Sequence, residues 1–162
     1  MTKKILSQQE LHEIIEYRNG ELYWKIKPSK NRQVGEKAGS VKKNGYCMVQ
    51  INKKLDYAHR FIFLMFYGYL PKYIDHIDGN PSNNKIENLR EATQSQNLCN
   101  RSKQINNKSG FKGICWNEKR NQWTATCQFN GKTIRKYCKN IDEAIKIMRK
   151  LREELHGQFA HH

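Results

Sequence analysis

No long hydrophobic run is present. Only 37% of the 162 residues are hydrophobic, and the longest apolar stretch, Phe61 to Tyr67, falls far short of the ~20 residues that a membrane-spanning helix needs. With a mean hydropathy of −0.93, the composition is that of a water-facing chain. No paired-cysteine motif occurs either. The five cysteines (Cys47, Cys99, Cys115, Cys127, Cys138) are odd in number and contain no C-x-x-C, which fits neither a disulfide framework nor a zinc knuckle. They are expected to be reduced packing residues, with no structural zinc. MTKKILSQQELHEII turns polar before any apolar h-region forms, so no secretory signal is visible and a cytoplasmic, intracellular location is expected. Acidic residues are scarce: 15 Asp and Glu face 30 Lys and Arg, a formal charge of +15. Such a surface attracts a polyanion, and nucleic acid is the first partner to consider.

The charge is distributed unevenly. Residues 1–74 carry +8, residues 75–100 carry −2 and residues 101–162 carry +9. An acidic island between basic flanks suits a carboxylate site that holds a cation while a polyanion is gripped from both sides.

Ser7-Gln8-Gln9-Glu10 reads as a capping box, opening a short helix that ends near Asn19-Gly20. Strand-like pieces follow at Glu21–Ile26 and Tyr46–Ile51, and Ala58–Tyr67, apolar nearly all round, reads as a buried helix closed by Gly68. Next come a strand over Tyr73–Ile77, a turn-rich loop over Asp78–Asn84 and a returning strand over Asn88–Ala92. Thr93-Gln94-Ser95-Gln96 caps a helix expected to carry Asn97 and Asn100. Beyond a linker at Asn106–Gly110, strands are expected near 111–116, 122–129 and 132–138, the last two joined by Asn130-Gly131. A final helix, capped at Asn140 and ended by Gly157, lines up Ile141, Ala144, Ile145, Met148, Leu151 and Leu155.

The chemistry is concentrated in DHIDGNPSNNKIENLREATQSQN, Asp75 to Asn97. A phosphodiester resists cleavage because its charge repels nucleophiles and its leaving alkoxide is unstable, so a site needs a base and a cation. His76 can be the base. Asp75 and Asn97 offer hard oxygens suited to Mg²⁺. Neighbours on a regular strand point to opposite faces, so some irregularity is needed for Asp75 and His76 to share a site. Singly, His76 reads as an ordinary hydrogen-bonded histidine and Asn80, Asn83, Asn84 and Asn88 as turn formers; the joint spacing carries the functional reading.

These residues resemble the HNH endonuclease family, in the branch of phage and intron homing endonucleases. The resemblance implies a ββα-metal fold with Asp75 as metal ligand, His76 as general base, Asn88 bracing the loop and Asn97 completing the metal site, where the family name expects His. His59 in AHRFIF matches an upstream His-Arg of the family and is read as structural. The implied reaction is hydrolysis of DNA that leaves 5′-phosphates, with Mg²⁺ or else Mn²⁺ as cofactor.

The segment SGFKGICWNEKRNQWTATCQFNGK and the helix after it resemble the plant ethylene-response-factor-type DNA-binding domain, also found appended to phage HNH enzymes. That fold lays a three-stranded sheet in the major groove and braces it with a helix. On the middle strand Trp123, Ala125, Cys127 and Phe129 share one face, expected to meet the helix. Thr124, Thr126 and Gln128 share the other, expected to meet DNA. By resemblance Lys112, Gln128 and Lys132 fall where plant members place DNA-contacting arginines, while Cys115 and Asn117 replace two others. Trp116, Lys119 and Arg120 are further candidates for stacking or phosphate contact.

The expectation is therefore an α+β protein: an N-terminal region (1–55), an HNH nuclease domain (56–105), and a DNA-binding domain (106–162) built as a three-stranded antiparallel sheet packed on one C-terminal helix. It would be a monomer that nicks one strand of double-stranded DNA, phage-encoded in origin and without membrane partners. The competing reading is a catalytically inactive, sequence-specific DNA-binding regulator.

Overall fold

The computed structural model describes residues 6–99, 107, 109–129 and 131–156. Asn100 of the expected helix, Asn106 and Lys108 of the expected linker, Asn130 of the expected turn and the terminator Gly157 lie outside the described residues. The chain is a mixed helix-and-sheet (α+β) protein that divides into two compact units, Met1–Glu91 and Ala92–His162, whereas the sequence suggested boundaries after 55 and 105.

In the first unit α1 (Gln8–Ile14) opens with a complete capping box: Glu10 N donates to Ser7 Oγ, and Ser7 N donates to the Glu10 carboxylate. The helix is shorter than expected. Residues Ile15–Arg18 form β1, which pairs antiparallel with β2 (Glu21–Trp24), and Asn19-Gly20, read from sequence as a helix stop, is the hairpin turn, with φ of 47° and 91°. Two residues at positive φ match the strand twist of a tight hairpin, and β-branched Ile15 with Tyr17 favours strand over helix. A second hairpin, missed in the sequence, turns at Asn52-Lys53 (φ 48° and 63°) and joins β4 (Cys47–Ile51) to β5 (Lys54–Tyr57), with β3 (Ser40–Val41) on the other side of β4.

At α2 (Ala58–Tyr67) seven residues are buried, and Gly68 ends the helix at φ 75°. One core joins Leu11, Ile15, Leu22, Val49 and Ile51 to Phe61, Ile62, Phe63 and Leu89. Residues on both sides of position 55 thus share a single interior, and each large apolar side chain in it contributes about 1.5–3 kcal/mol by burial. That core supports β6 (Tyr73–His76), which forms a two-stranded sheet with β7 (Leu89–Ala92). Ile77 N donates to Asn88 O at 2.9 Å and Arg90 reaches Asp75, so contacts run in opposite directions along the two segments, as in an antiparallel pair.

In the second unit α3 (Gln94–Cys99) begins at a capping box in which Gln96 N donates to Thr93 Oγ1 and Thr93 N to Gln96 Oε1. The strands β8 (Ile114–Asn117), β9 (Gln122–Phe129) and β10 (Lys132–Cys138) form an antiparallel sheet with β9 central. Helix α4 (Ile141–His156) starts at Asn140, whose Oδ1 accepts from Glu143 N, and its Ala144 and Met148 bury against Ile114, Ala125, Cys127 and Cys138.

Candidate active site

Asp75 and His76 end strand β6, and the strand is covered on both faces: Ile74, Asp75 and His76 are all buried. The two neighbouring side chains meet different partners. Asp75 meets Arg90, which donates from Nε and Nη2 to its Oδ2. His76 meets Asn84, whose Oδ1 lies 3.0 Å from Nε2.

A wall of rings surrounds His76. Tyr46 and His59 approach it edge-on, with centroids 5.9 and 5.0 Å away, and Tyr57 stacks on His59 at 5.4 Å. Burial first, then the neighbouring His76 and Arg60, push His59 down to about 3, so it is neutral near neutral pH. The sequence signal for His59 was the AHRFIF segment; Tyr46 and Tyr57, from another sheet, gave none.

Between β6 and β7 the chain closes on itself through asparagines. Asn88 accepts from Asp78 N at 3.0 Å and donates to Asp78 Oδ1 at 2.9 Å and to Asn83 O at 2.8 Å. Asn83 also donates to Asp78 Oδ2, and Asp78 Oδ1 accepts from Asn80 N. Burial alone would raise the Asp78 carboxyl, but the hydrogen bonds from Asn83, the Asn80 N–H and Asn88, with His76 nearby, hold it below its ordinary value. Asp78 and Asn84 were not singled out as site residues by the sequence, since an Asx-rich turn hides which side chain faces inward.

Asp75, His76 and Asn88 therefore all lie in the first unit, each with its own partner: Arg90, Asn84 and Asp78. Asn97 belongs to the second, half-buried on α3, where its N–H donates to Thr93 O. Among the described residues no group of three or more His, Cys, Asp or Glu is placed to hold a metal ion, and Cys47, Cys115, Cys127 and Cys138 are not in disulfides.

On the sheet of the second unit the candidate DNA-facing residues differ in exposure. Lys119, Arg120, Gln128 and Lys132 are exposed, Trp116 is 43% exposed and packed edge-on to Trp123, and Lys112 and Thr126 are half-buried. Arg120 lies over the Tyr137 ring at 4.6 Å. The backbone carbonyl of Lys112 accepts from the buried Arg152. Thr124 departs from expectation: it is 3% exposed, and its hydroxyl is buried without a hydrogen-bond partner among the described residues. On the central strand it lies directly between Cys115 and Tyr137, and within the polar row only Thr126 and Gln128 keep exposure.

A family model described as HNH endonuclease matches residues 56–99, the stretch from the end of β5 to α3. Over 95 residues the chain is 41% identical to Protein 3.8 of Escherichia phage T7, a match covering 57% of this chain and 78% of that protein. The chain belongs to the HNH endonuclease family. An uncharacterized HNH endonuclease of Acanthamoeba polyphaga mimivirus is 41% identical over 108 residues, which is 63% of this chain and 54% of that relative, so the chain spans about half its length. No solved structure matches. The HNH family is one of nucleases, phosphodiester hydrolases that generally use a divalent metal ion. Among the described residues no helix is long and apolar enough to cross a membrane.

Proposed function

We propose that this HNH protein is a metal-dependent endonuclease of the homing type that hydrolyses duplex DNA, acts as a monomer and nicks one strand. The observation that carries the reading is the seating of His76: it is buried at the end of β6, next in sequence to Asp75, and its Nε2 lies 3.0 Å from Asn84 Oδ1. A histidine is the side chain best suited to take the proton of an attacking water near neutral pH. Asn88 and Asp78 hold the loop that carries Asn84. In this reading the chain carries a ββα-metal fold of the HNH type.

The donor set fits a hard cation. Of the candidate ligands, the Asp75 carboxylate and the Asn97 amide are hard oxygen donors of the kind Mg²⁺ takes alongside its own waters, and Mn²⁺ accepts the same donors. Such an ion supplies positive charge where the leaving oxygen develops its own.

We read the second unit as an ethylene-response-factor-type DNA-binding domain. Supporting this are a net charge of +9 over residues 101–162 and the exposed Lys119, Arg120, Gln128 and Lys132 on a three-stranded sheet braced by α4, with Trp116, Lys112 and Thr126 beside them. Thr124 is left out of this face because it is buried.

Incubation with supercoiled target plasmid tests the reading. Mg²⁺ should yield open circles before linear molecules, EDTA should stop the reaction, and His76→Ala should cut at least ~10²-fold more slowly while binding DNA as well as the parent. Plasmid left intact in both Mg²⁺ and Mn²⁺, or His76→Ala nicking at the parental rate, would overturn it.

A further inference from the structure

The hairpin that joins β3 to β4 is seated on the loop between β6 and β7. Its turn is Lys42-Lys43-Asn44-Gly45: Gly45 N donates to Lys42 O at 2.9 Å, Lys42 N donates to Tyr46 O at 2.8 Å, and Gly45 takes φ 83°. This is a three-residue hairpin loop closed by a glycine bulge, in which Lys42 stands directly opposite Tyr46. The strand register agrees, running from Ser40 against Met48 to Val41 against Cys47. At the tip Gly45 O accepts from Ser82 Oγ at 2.7 Å, and a Cβ on Gly45 would stand 2.8 Å from Pro81 Cγ. So close a seat ties the turn to the loop that carries Asn84.

Opposite residues of an antiparallel pair point to the same face. Tyr46 turns its ring to His76, with centroids 5.9 Å apart, and Tyr57, opposite Met48, packs on Tyr46 at 5.1 Å. Val49 and Ile51 fill the other face, in the core. Lys42 therefore lies on the His76 side of this sheet. Opposite residues are about 5.5 Å apart, which puts Lys42 on the order of 10 Å from the His76 ring, about three phosphate steps at 3.4 Å of duplex axis each.

The charge at this position suits an anion. Lys42 is exposed and makes no ion pair among the described residues, whereas Arg60 and Arg90 are engaged by Asp56 and Asp75. Nine Lys and Arg and one acidic residue fall between positions 25 and 54, so the field on this side favours a polyanion.

We propose that Lys42 is a phosphate-binding residue of the first unit: its ammonium holds the DNA backbone within about three phosphates of the one presented to His76, so that a hairpin ahead of the matched segment fixes where the strand lies at the site. This rests on the reading of the first unit as the nuclease.

The test uses the full chain in EDTA with a fluorescent duplex that bears the mapped nick position, and anisotropy between 50 and 200 mM salt. Lys42→Ala should lower the slope of log K against log salt by about one and weaken binding at 50 mM about fivefold, and Lys42→Arg should keep both at the parental value. In Mg²⁺, Lys42→Ala should raise KM about fivefold with kcat changed less than about twofold. At an exposed turn position neither replacement removes a packed group, so both should fold. Single methylphosphonates around the nick locate the contact: at one position within about three of it, the neutral linkage should weaken the parent as much as Lys42→Ala does and cost Lys42→Ala nothing further. Lys42→Ala with the parental slope and affinity overturns the proposal, as do losses that add at every one of those positions. A parent that nicks nothing defeats the nuclease reading, while the salt slope of Lys42→Ala on a duplex of arbitrary sequence still judges whether Lys42 holds phosphate.

Discussion

Arg90 donates from Nε at 2.9 Å and from Nη2 at 2.8 Å to one oxygen of Asp75, with side-chain exposures of 14% and 4%. So little water reaches the pair that removing the carboxylate costs the Arg90 guanidinium an ion pair that solvent does not replace. Asp75→Ala should therefore destabilise the chain by about 3–5 kcal/mol in denaturant titrations. Replacing Arg90 as well, by Met, should restore part of the loss, since no charge is then left without its partner. A double variant as unstable as Asp75→Ala alone would mean that the damage is a packing defect.

Asn88 closes the site loop with three hydrogen bonds, two of them to Asp78 and one to Asn83 O. Asn88→Ala should cost about 2–3 kcal/mol, the worth of several partly buried hydrogen bonds. Asn88→Asp should be at least as damaging, because its carboxylate would face that of Asp78 and lacks the amide donor. Thermal midpoints of the two variants check the order.

Acid should unfold the first unit early. His59, pushed down to about 3 from an ordinary 6.5, takes up a proton in the unfolded chain over a range in which the folded chain refuses it. Its folded-state pKa is the lower one, so stability is intact above about pH 6.5 and falls as pH drops toward 3, with a slope of up to about 1.4 kcal/mol per pH unit. Asp78 acts in the same direction at lower pH: its lowered carboxyl contributes stability above its ordinary 3.8 that is lost as pH falls through the folded value. His59→Phe, which keeps a ring against Tyr57, should flatten the dependence between pH 6.5 and 4 in denaturant titrations. An unchanged slope would place the charge effect elsewhere.

DNA binding by the full chain should weaken steeply with salt, as expected for a +15 protein that displaces counterions. Lys132→Ala and Lys119→Ala, both at exposed positions, should each reduce the slope of log K against log salt by about one if they contact phosphate. Thr124→Val should leave affinity unchanged, because the residue is covered in the free sheet. Affinity measured by fluorescence anisotropy at several salt concentrations separates these cases.

Much of the local structure was legible. The boxes at Ser7–Glu10 and Thr93–Gln96 work over three residues, and Gly68 ends α2 by its own backbone freedom, so sequence neighbours suffice to recognise them. The segment Ile15–Arg18 was misread because helix and strand differ there only in what lies opposite: Leu22 and Trp24 supply the pairing. Lys54–Tyr57 went unseen for the same reason, its hairpin turning on Asn52 and Lys53 rather than on a glycine.

The sequence by itself determined the charge layout, the helix caps, and the acid, base and amide groups between Asp75 and Asn97, because these depend on residue identity and on contacts a few positions apart. Tertiary structure decided the rest. Which of four loop asparagines reaches His76, which cation faces Asp75, why His59 stays neutral and why Thr124 is hidden all turn on groups brought together from separate strands and helices. Burial acts there through desolvation and hydrogen-bond geometry, and neither is expressed in the spacing of residues along the chain.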